Sequence, residues 1–534
     1  MARTLLIGLD GATWTILDPY MERGLLPNLQ ALTERGTRAQ LRSIMPPLTP
    51  PAWTSLMTGK HPGRHGVFDF FQKEDGDSVH FRFATSLDVR ADTIWSLASD
   101  ADLRVISLNF PLMFPAPDID GFVVPGGMMP WRQLRLGCHP AGLFDRLKQL
   151  PGFKPKEMLD MELEVKAVEG CPVEEQVAYV EAHIQREARW MEVARHLMTQ
   201  EDWDLAGVMF DGIDKLQHLC WRFIDPAFRP ARPTEWEQTM IDRCEAYFAS
   251  VDAIIGELVA LGGPEATVVL ASDHGFGPTR DVFHVNAWLE QEGYLVWADG
   301  QGEGSGADDL VGFAEITRHV RALDWSRTVA YAATPSSQGI HVVPRVPGTD
   351  EQMPTHVRER LRAEIAGKLL EVRRPHDGEP LITEAWTRER AFAGPFEEIG
   401  PDVSMVLADG GTMSILPGSQ VVTRRTEARG HHRWEGMFLA AGAGIRAGAQ
   451  TDELVIVDVA PLVLHRLGLE IPDDLAGRLP VGIFEPDELA AHPPRRRVAA
   501  PYEAEACGAA AGLELDPEEQ AGVMQRLRAL GYVE

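Results

Sequence analysis

The sequence predicts an α/β fold built on a mostly parallel central sheet flanked by helices. Three observations carry that expectation. Strand-like and helix-like segments alternate through much of the chain. Two short runs, TLLIGL and ATVVLA, are apolar throughout, as buried strands are. Acidic residues follow both runs closely, where open α/β sheets place their ligands.

Taken in order, Thr4–Leu9 reads as the first strand, Pro27–Arg35 as a helix stopped by Gly36, and 51–57 as a helix opened by prolines. Residues 104–108 are strand-like, 173–198 form a long helical stretch, and 204–210 return to an apolar strand. Residues 235–261 are helical and end at Gly262-Gly263, and 266–271 form the clearest buried strand. After 286–293 the composition changes: 300–308 is rich in glycine and acid, a surface loop, and the stretch up to 400 is irregular. The expected organisation is a discontinuous catalytic core over 1–294 and 401–482, with 295–400 as an insertion or cap. Core-like patterning resumes with 437–441 and a helix over 457–467. Residues 483–534 form a C-terminal extension, extended where 485–511 begins rich in Pro, Arg and Ala, and closed by a helix over 517–530.

With 534 residues the chain exceeds the roughly 250–300 at which single cores stop growing, so one large core with insertions, or two or three modest domains, is expected. The net charge of −28 and the lack of a basic cluster exclude long nucleic acid as a partner. Five cysteines without CxxC spacing read as reduced thiols. About five apolar residues precede Asp10, too few for a signal-peptide core, and no stretch approaches the roughly 18 needed to span a bilayer. A cytoplasmic enzyme without a membrane span is the expectation.

Four clusters carry chemistry. Asp10 follows the first strand in LLIGLDGAT, where it is a candidate metal ligand or a turn residue before Gly11. Asp214 and His218 in FDGIDKLQHLCW are four residues apart, on one helical face, so both can reach one ion; Asp211 competes as the ligand. Asp273 and His274 in SDHGFG follow ATVVLA directly. Adjacent residues can share a metal only where the chain turns, and Gly275 and Gly277 permit a turn. Gly430-His431-His432-Arg433 supplies one ligand and one bystander. The clusters together suit two borderline divalent ions. Between the first two lies MPPLTPPAWTSLMTGKHPGRHG, in which Thr49 reads as a helix N-cap or as an alcohol nucleophile; Thr54, Ser55 and Thr58 are equally open. His61 and His65 are read as stabilising this loop rather than touching substrate.

The ordered set LDGAT, TPPAWTSLMTGKHPGRHGVFDF, DKLQH, SDHGFG and GHHRWEG resembles the type I phosphodiesterase/nucleotide pyrophosphatase branch of the alkaline phosphatase superfamily, over about residues 3–480. The resemblance implies an alkaline phosphatase-like core. It implies one metal held by Asp10, Thr49, Asp273 and His274, and another by Asp214, His218 and His432. It also selects Thr49 as nucleophile, since Thr49 stands ten residues before the glycine of Thr58-Gly59, as in the family. Zinc is the first choice of ion, with manganese fitting the same ligands. The implied reaction is hydrolysis of a small phosphate ester, with a nucleotide among the candidates, through a phosphothreonine intermediate. Two departures bear on the substrate. Ala52 stands where nucleotide pyrophosphatases carry Asn, and the segment following Thr49 lacks the Arg of sulfatases. A phosphomutase or phosphotransferase of the same superfamily keeps the site but changes the acceptor. A non-catalytic metal-stabilised binding module is disfavoured because all seven site residues are present.

Overall fold

A computed structural model describes residues 3–73, 81–127, 129–298 and 319–500. The expected loop over 300–308, the helix over 517–530 and Cys507 lie outside the described residues. The other four cysteines are free thiols, and no helix among the described residues is long and apolar enough to cross a membrane.

The main sheet runs in the order Ala449–Gln450, Gly36–Arg42, Glu435–Ala441, Thr267–Ala271, Thr4–Leu9, Leu205–Phe210, Val105–Leu108 and Gly121–Val124, with Leu454–Val455 beside Gly36–Arg42. It is mostly parallel. Only Glu435–Ala441 runs antiparallel to its neighbours. The apolar strands are covered on both faces: Leu5, Ile7 and Leu9 enter one hydrophobic core and Leu6 enters the other. Helices Trp14–Glu22, Pro27–Arg35, Gln176–Gln200, Gly212–Ile224 and Glu235–Gly262 contribute to the first core. Helices Thr49–Thr58, Ile94–Ser99 and Val459–Arg466 contribute to the second.

Register decides where the motifs emerge. Leu9 lies beside Phe210, and Gly8 beside Ala271, so the residues after three parallel strands leave the same edge of the sheet. Asp10, Asp211 and Asp273 are those residues. The antiparallel strand brings its beginning to the same edge, because Phe438 pairs with Ala271. The preceding His431-His432 therefore arrives there too. Gly36–Arg42 ends opposite Glu435, which delivers the segment leading to Thr49.

Between 319 and 422 the chain builds a further core. Strands Ala330–Tyr331, Gly339–Val342, Val403–Leu407 and Ile382–Thr387 form a four-stranded sheet packed by helix Thr355–Leu369. Such short strands leave too few residues to show a period, which explains the irregular pattern of the sequence. A three-stranded sheet of Thr412–Ser414, Gly275–His284 and Val422–Arg433 links this region to the main sheet. The tail differs from expectation in carrying a short helix, Pro486–Ala491, and a strand, Arg496–Arg497, paired with Ile471–Pro472.

The central strand tolerates little at Gly8, where an added Cβ would lie 2.6 Å from the ring of the fully buried Trp53. Gly8→Ala should destabilise the protein by about 1–3 kcal/mol through overpacking. Urea unfolding measures this, and a midpoint equal to wild type would show that the indole can move aside.

Candidate active site

Asp10, Asp214, Asp273, His218, His274 and His432 meet at the sheet edge. His274 Nε2 lies 3.3 Å from Asp273 Oδ2, 3.6 Å from Asp10 Oδ1 and 3.8 Å from Asp214 Oδ1. His432 Nε2 lies 3.1 Å from Asp214 Oδ1 and 3.1 Å from His218 Nε2, and His218 Nε2 is 3.5 Å from Asp214 Oδ1. Two triads, Asp10/Asp273/His274 and Asp214/His274/His432, each hold ligand atoms within 4.8 Å of one another. His274 thus faces both.

The local chain explains each position. Gly11 takes a left-handed conformation with φ 68°, and its N–H donates to Asp273 Oδ1 at 3.2 Å while its carbonyl accepts from the Gln217 amide at 2.8 Å. Asp10-Gly11 thus forms a turn, and Asp10 stands within the cluster. A Cβ at Gly430 would lie 2.1 Å from the Gln217 carbonyl, so glycine there lets the strand bearing His431 and His432 press against the helix bearing Asp214 and His218. Gly275 and Gly277 serve close approach rather than a turn, contrary to expectation. Neither has positive φ, but a Cβ at Gly275 would lie 1.9 Å from the Glu435 carbonyl, and one at Gly277 would lie 2.4 Å from Arg433 Nε. Asp211 is diverted from the cluster by Arg186, whose Nη2 donates to Asp211 Oδ2 at 2.8 Å.

Charge and protonation in the cluster suit a cation. Burial, then the neighbouring Asp273 and Asp214, hold the Asp10 carboxyl well above its usual range. Burial and Asp214 likewise push Asp273 up to about 8. His274, buried and beside His432, is held well below the ordinary histidine value and is therefore neutral. Carbonyl oxygens accept only, so the bonds of His274 Nδ1 to the Gly275 carbonyl (3.1 Å) and of His432 Nδ1 to the Pro47 carbonyl (2.8 Å) place the proton on Nδ1 in each ring. Their Nε2 lone pairs then face carboxylate oxygens. Among the described residues Asp10 Oδ1, Asp214 Oδ1, Asp273 Oδ2 and His274 Nε2 are buried without a hydrogen-bond partner. Acceptors converging in this way repel one another unless a cation lies among them, and ligands of a tetrahedral ion with bonds of about 2.1 Å stand about 3.4 Å apart. The donor set fits divalent metal.

Thr49 is the first residue of its helix rather than the cap, which falls on Leu48. Pro50 and Pro51 fill the first turn, where N–H groups find no partner within the helix. Lacking N–H groups, they also reduce what this terminus can offer an anion to little beyond Thr49's own N–H. Trp53, one turn on and on the same face, donates through Nε1 to Asp10 Oδ2 at 3.3 Å. With the Pro47 carbonyl fixed to His432, this brackets Thr49 between the two halves of the cluster. The other hydroxyls are committed elsewhere. Thr54 donates to the Pro50 carbonyl at 2.7 Å, Thr58 donates to the Thr54 carbonyl at 2.7 Å, and Ser55 bonds His65 Nε2 at 2.9 Å, all three hydroxyls being buried. Thr49 is half-buried, and its hydroxyl has no bond among the described residues. His65 Nδ1 accepts from the Val67 N–H at 3.2 Å, so His65 serves the loop. His431 remains half-buried beside His218, with ring centroids 5.9 Å apart.

The sequence did not reveal Trp53, the Pro47 carbonyl or the Arg186–Asp211 pair.

The region beyond 319 contacts the segment just after helix Thr49–Thr58. Thr334 and Ser336 donate to Asp69 Oδ2 and Oδ1 at 2.5 and 2.7 Å, and the Phe396 N–H donates to the Gly63 carbonyl at 3.0 Å. Burial pushes the Asp69 carboxyl up to about 6 despite these hydrogen bonds. Its folded value thus exceeds the unfolded value of about 3.9, the folded state binds more protons in between, and stability falls by about 2–3 kcal/mol as pH rises from about 4 to 6. Asp69→Asn should flatten that part of a stability–pH profile followed by urea unfolding. A slope unchanged from wild type would remove Asp69 as its source.

Residues 4–434 match the family described as type I phosphodiesterase / nucleotide pyrophosphatase. Comparison with curated proteins returns no match. Among solved structures, phosphonoacetate hydrolase from Sinorhizobium meliloti 1021 in complex with phosphonoformate is similar, at TM-score 0.50 and 17% identity, over 87% of this chain and 96% of that one. Human ectonucleotide pyrophosphatase/phosphodiesterase 5 aligns at TM-score 0.48 and 14% identity, over 89% of this chain and 97% of that one.

Proposed function

Because the chain belongs to the type I phosphodiesterase/nucleotide pyrophosphatase family, and is thereby a metal-dependent phosphoester hydrolase, we propose that it cleaves a small phosphate ester with Thr49 as nucleophile. The observation that carries this reading is the contrast among the four hydroxyls. Thr54, Ser55 and Thr58 are buried and bonded, whereas Thr49 is half-buried with no bond among the described residues, and its near neighbours Pro47 and Trp53 bond to His432 and Asp10 of the cluster.

In this reading Asp10, Asp273, His274 and Thr49 hold one divalent ion, and Asp214, His218 and His432 hold the other. Zinc suits the mixed oxygen–nitrogen ligation, and manganese is the alternative. When bound, the ions neutralise phosphoryl oxygens and lower the pKa of a coordinated hydroxyl. Thr49 Oγ forms the bond to phosphorus as the leaving oxygen departs in line. Water then cleaves the phosphothreonine, restoring the hydroxyl and releasing the phosphoryl product. Trp53 orients Asp10 by holding its Oδ2, which leaves Oδ1 toward His274. His432 and His274 would be presented as neutral ligands by the carbonyls that accept hydrogen bonds from their Nδ1–H groups.

The cap, docked on the segment after the Thr49 helix, is the region we expect to select the leaving group. Ala52, buried in the first turns of that helix, supplies no amide to grip a phosphoryl group.

Chelation should abolish hydrolysis of bis-p-nitrophenyl phosphate, and added zinc or manganese should restore it. Turnover that persists in fully demetallated protein would exclude the mechanism.

Thr49→Ala should lower turnover by on the order of 10³-fold or more while leaving the fold and most of the metal content in place, because every carboxylate and imidazole ligand remains. Thr49→Ser, which keeps the hydroxyl, should retain part of the activity, and Thr54→Ala should be mild at equal folded fraction. A wild-type rate in folded, metal-loaded Thr49→Ala would transfer the attack to water.

A further inference from the structure

Helix Gln176–Gln200 turns a polar stripe inward. Tyr179, His183, Arg186 and Glu187 recur at helical spacing, and the last three are 0–1% exposed. Opposite them begins helix Gly212–Ile224, which carries Asp214 and His218. Glu187 Oε1 accepts the Gly212 N–H at 2.9 Å and the Tyr247 hydroxyl at 2.9 Å. Arg186 holds Asp211, and the Lys215 ammonium lies 3.6 Å from the same Asp211 oxygen. A Cβ at Gly212 would lie 2.5 Å from both Glu187 Oε1 and the Tyr247 hydroxyl, so the glycine lets these groups reach the backbone.

Stability alone gives little reason for this arrangement. Replacing buried ion pairs by apolar side chains of similar volume is often neutral or stabilising, because desolvation opposes the Coulombic gain. What the charges do supply is direction. The Gly212 N–H is an orphan donor of a helix start, and Asp211 is the residue before it. Fixing both fixes the helix two residues ahead of Asp214 and six ahead of His218.

We propose that Glu187 and Arg186, with Tyr247 bracing Glu187, are positioning residues that hold the Asp214–His218 face of this helix in ligand geometry. The inference rests on the metal-site reading given above. Groups behind metal ligands commonly change metal affinity by about 10–100-fold when removed.

The test uses the full chain, stripped and reloaded with cobalt(II), whose absorption spectrum reports coordination geometry. Chelator competition gives the affinity of each site. In Glu187→Ala, one of the two sites should weaken about 10–100-fold with an altered spectrum while the other keeps its affinity. Tyr247→Phe should shift the same site less. Glu187→Gln should stay near wild type, since its amide oxygen accepts both bonds. Should Glu187→Ala fail to fold, Tyr247→Phe against Glu187→Gln decides. Wild-type affinities and spectrum in Glu187→Ala, or in Tyr247→Phe where it must decide, would overturn the proposal. So would equal weakening of both sites, or a Glu187→Gln as impaired as Glu187→Ala. A wild-type protein that binds no cobalt would remove the metal-site reading together with this one, whereas metal-replete variants remove this one alone.

Discussion

Three buried carboxylates and three imidazoles crowd together at separations of 3.1–3.8 Å, relieved at one point by the His218–His432 hydrogen bond, and the rest of the structure serves to hold that arrangement in place. Such groups would separate or take up protons if their backbones were free to move. They are held because the chain leaves three adjacent parallel strands in register and returns along an antiparallel one. Asp10 stands on the middle strand, so it has acid on both sides. On one side Arg186 takes Asp211, and the carboxylate offered to the cluster comes from the next turn, Asp214.

The site is assembled from both sides of the sheet. Helix Gly212–Ile224 is rooted in one core through Ile213, Leu216 and Cys220. Helix Thr49–Thr58 is rooted in the other through Ala52, Trp53, Leu56 and Met57. Neither could approach the other through the sheet, so they meet at its edge. The Trp53 indole carries the tie from the second core to Asp10, and the Gln217 amide carries one from the first to Gly11.

The region beyond 319 shares its hydrophobic cluster with Phe71, Phe283 and helix Val285–Gln291, and specific polar and backbone contacts tie it further to the earlier part of the chain. One is the buried Asp69 with its two hydroxyl donors. Another is Gly63, where a Cβ would lie 1.8 Å from the Phe392 carbonyl, so the glycine of GKHPGRHG admits the cap backbone. That contact lies a few residues beyond helix Thr49–Thr58, so it fixes the region beyond 319 close to the end of that helix.

Local sequence was enough to identify the most apolar strands of the main sheet and the motifs that follow them, though not Gly36–Arg42 or Gly121–Val124, because a buried parallel strand is apolar on both faces and its carboxyl end is where polar residues reappear. The buried segments Thr4–Leu9 and Thr267–Ala271 show this directly. Motif order pointed to the family. Sequence alone did not separate Thr49 from Thr54, Ser55 and Thr58, since all are hydroxyls near one helix start, and only packing shows which ones already have partners. Nor did it show that Gly275 and Gly277 admit neighbouring chains rather than form a turn, or that Arg186 claims Asp211. Those outcomes depend on contacts between residues far apart in the chain, as with Glu187 and Gly212 or Pro47 and His432. A periodic pattern records only which face of an element is buried. Which partner it meets there is decided when the elements pack.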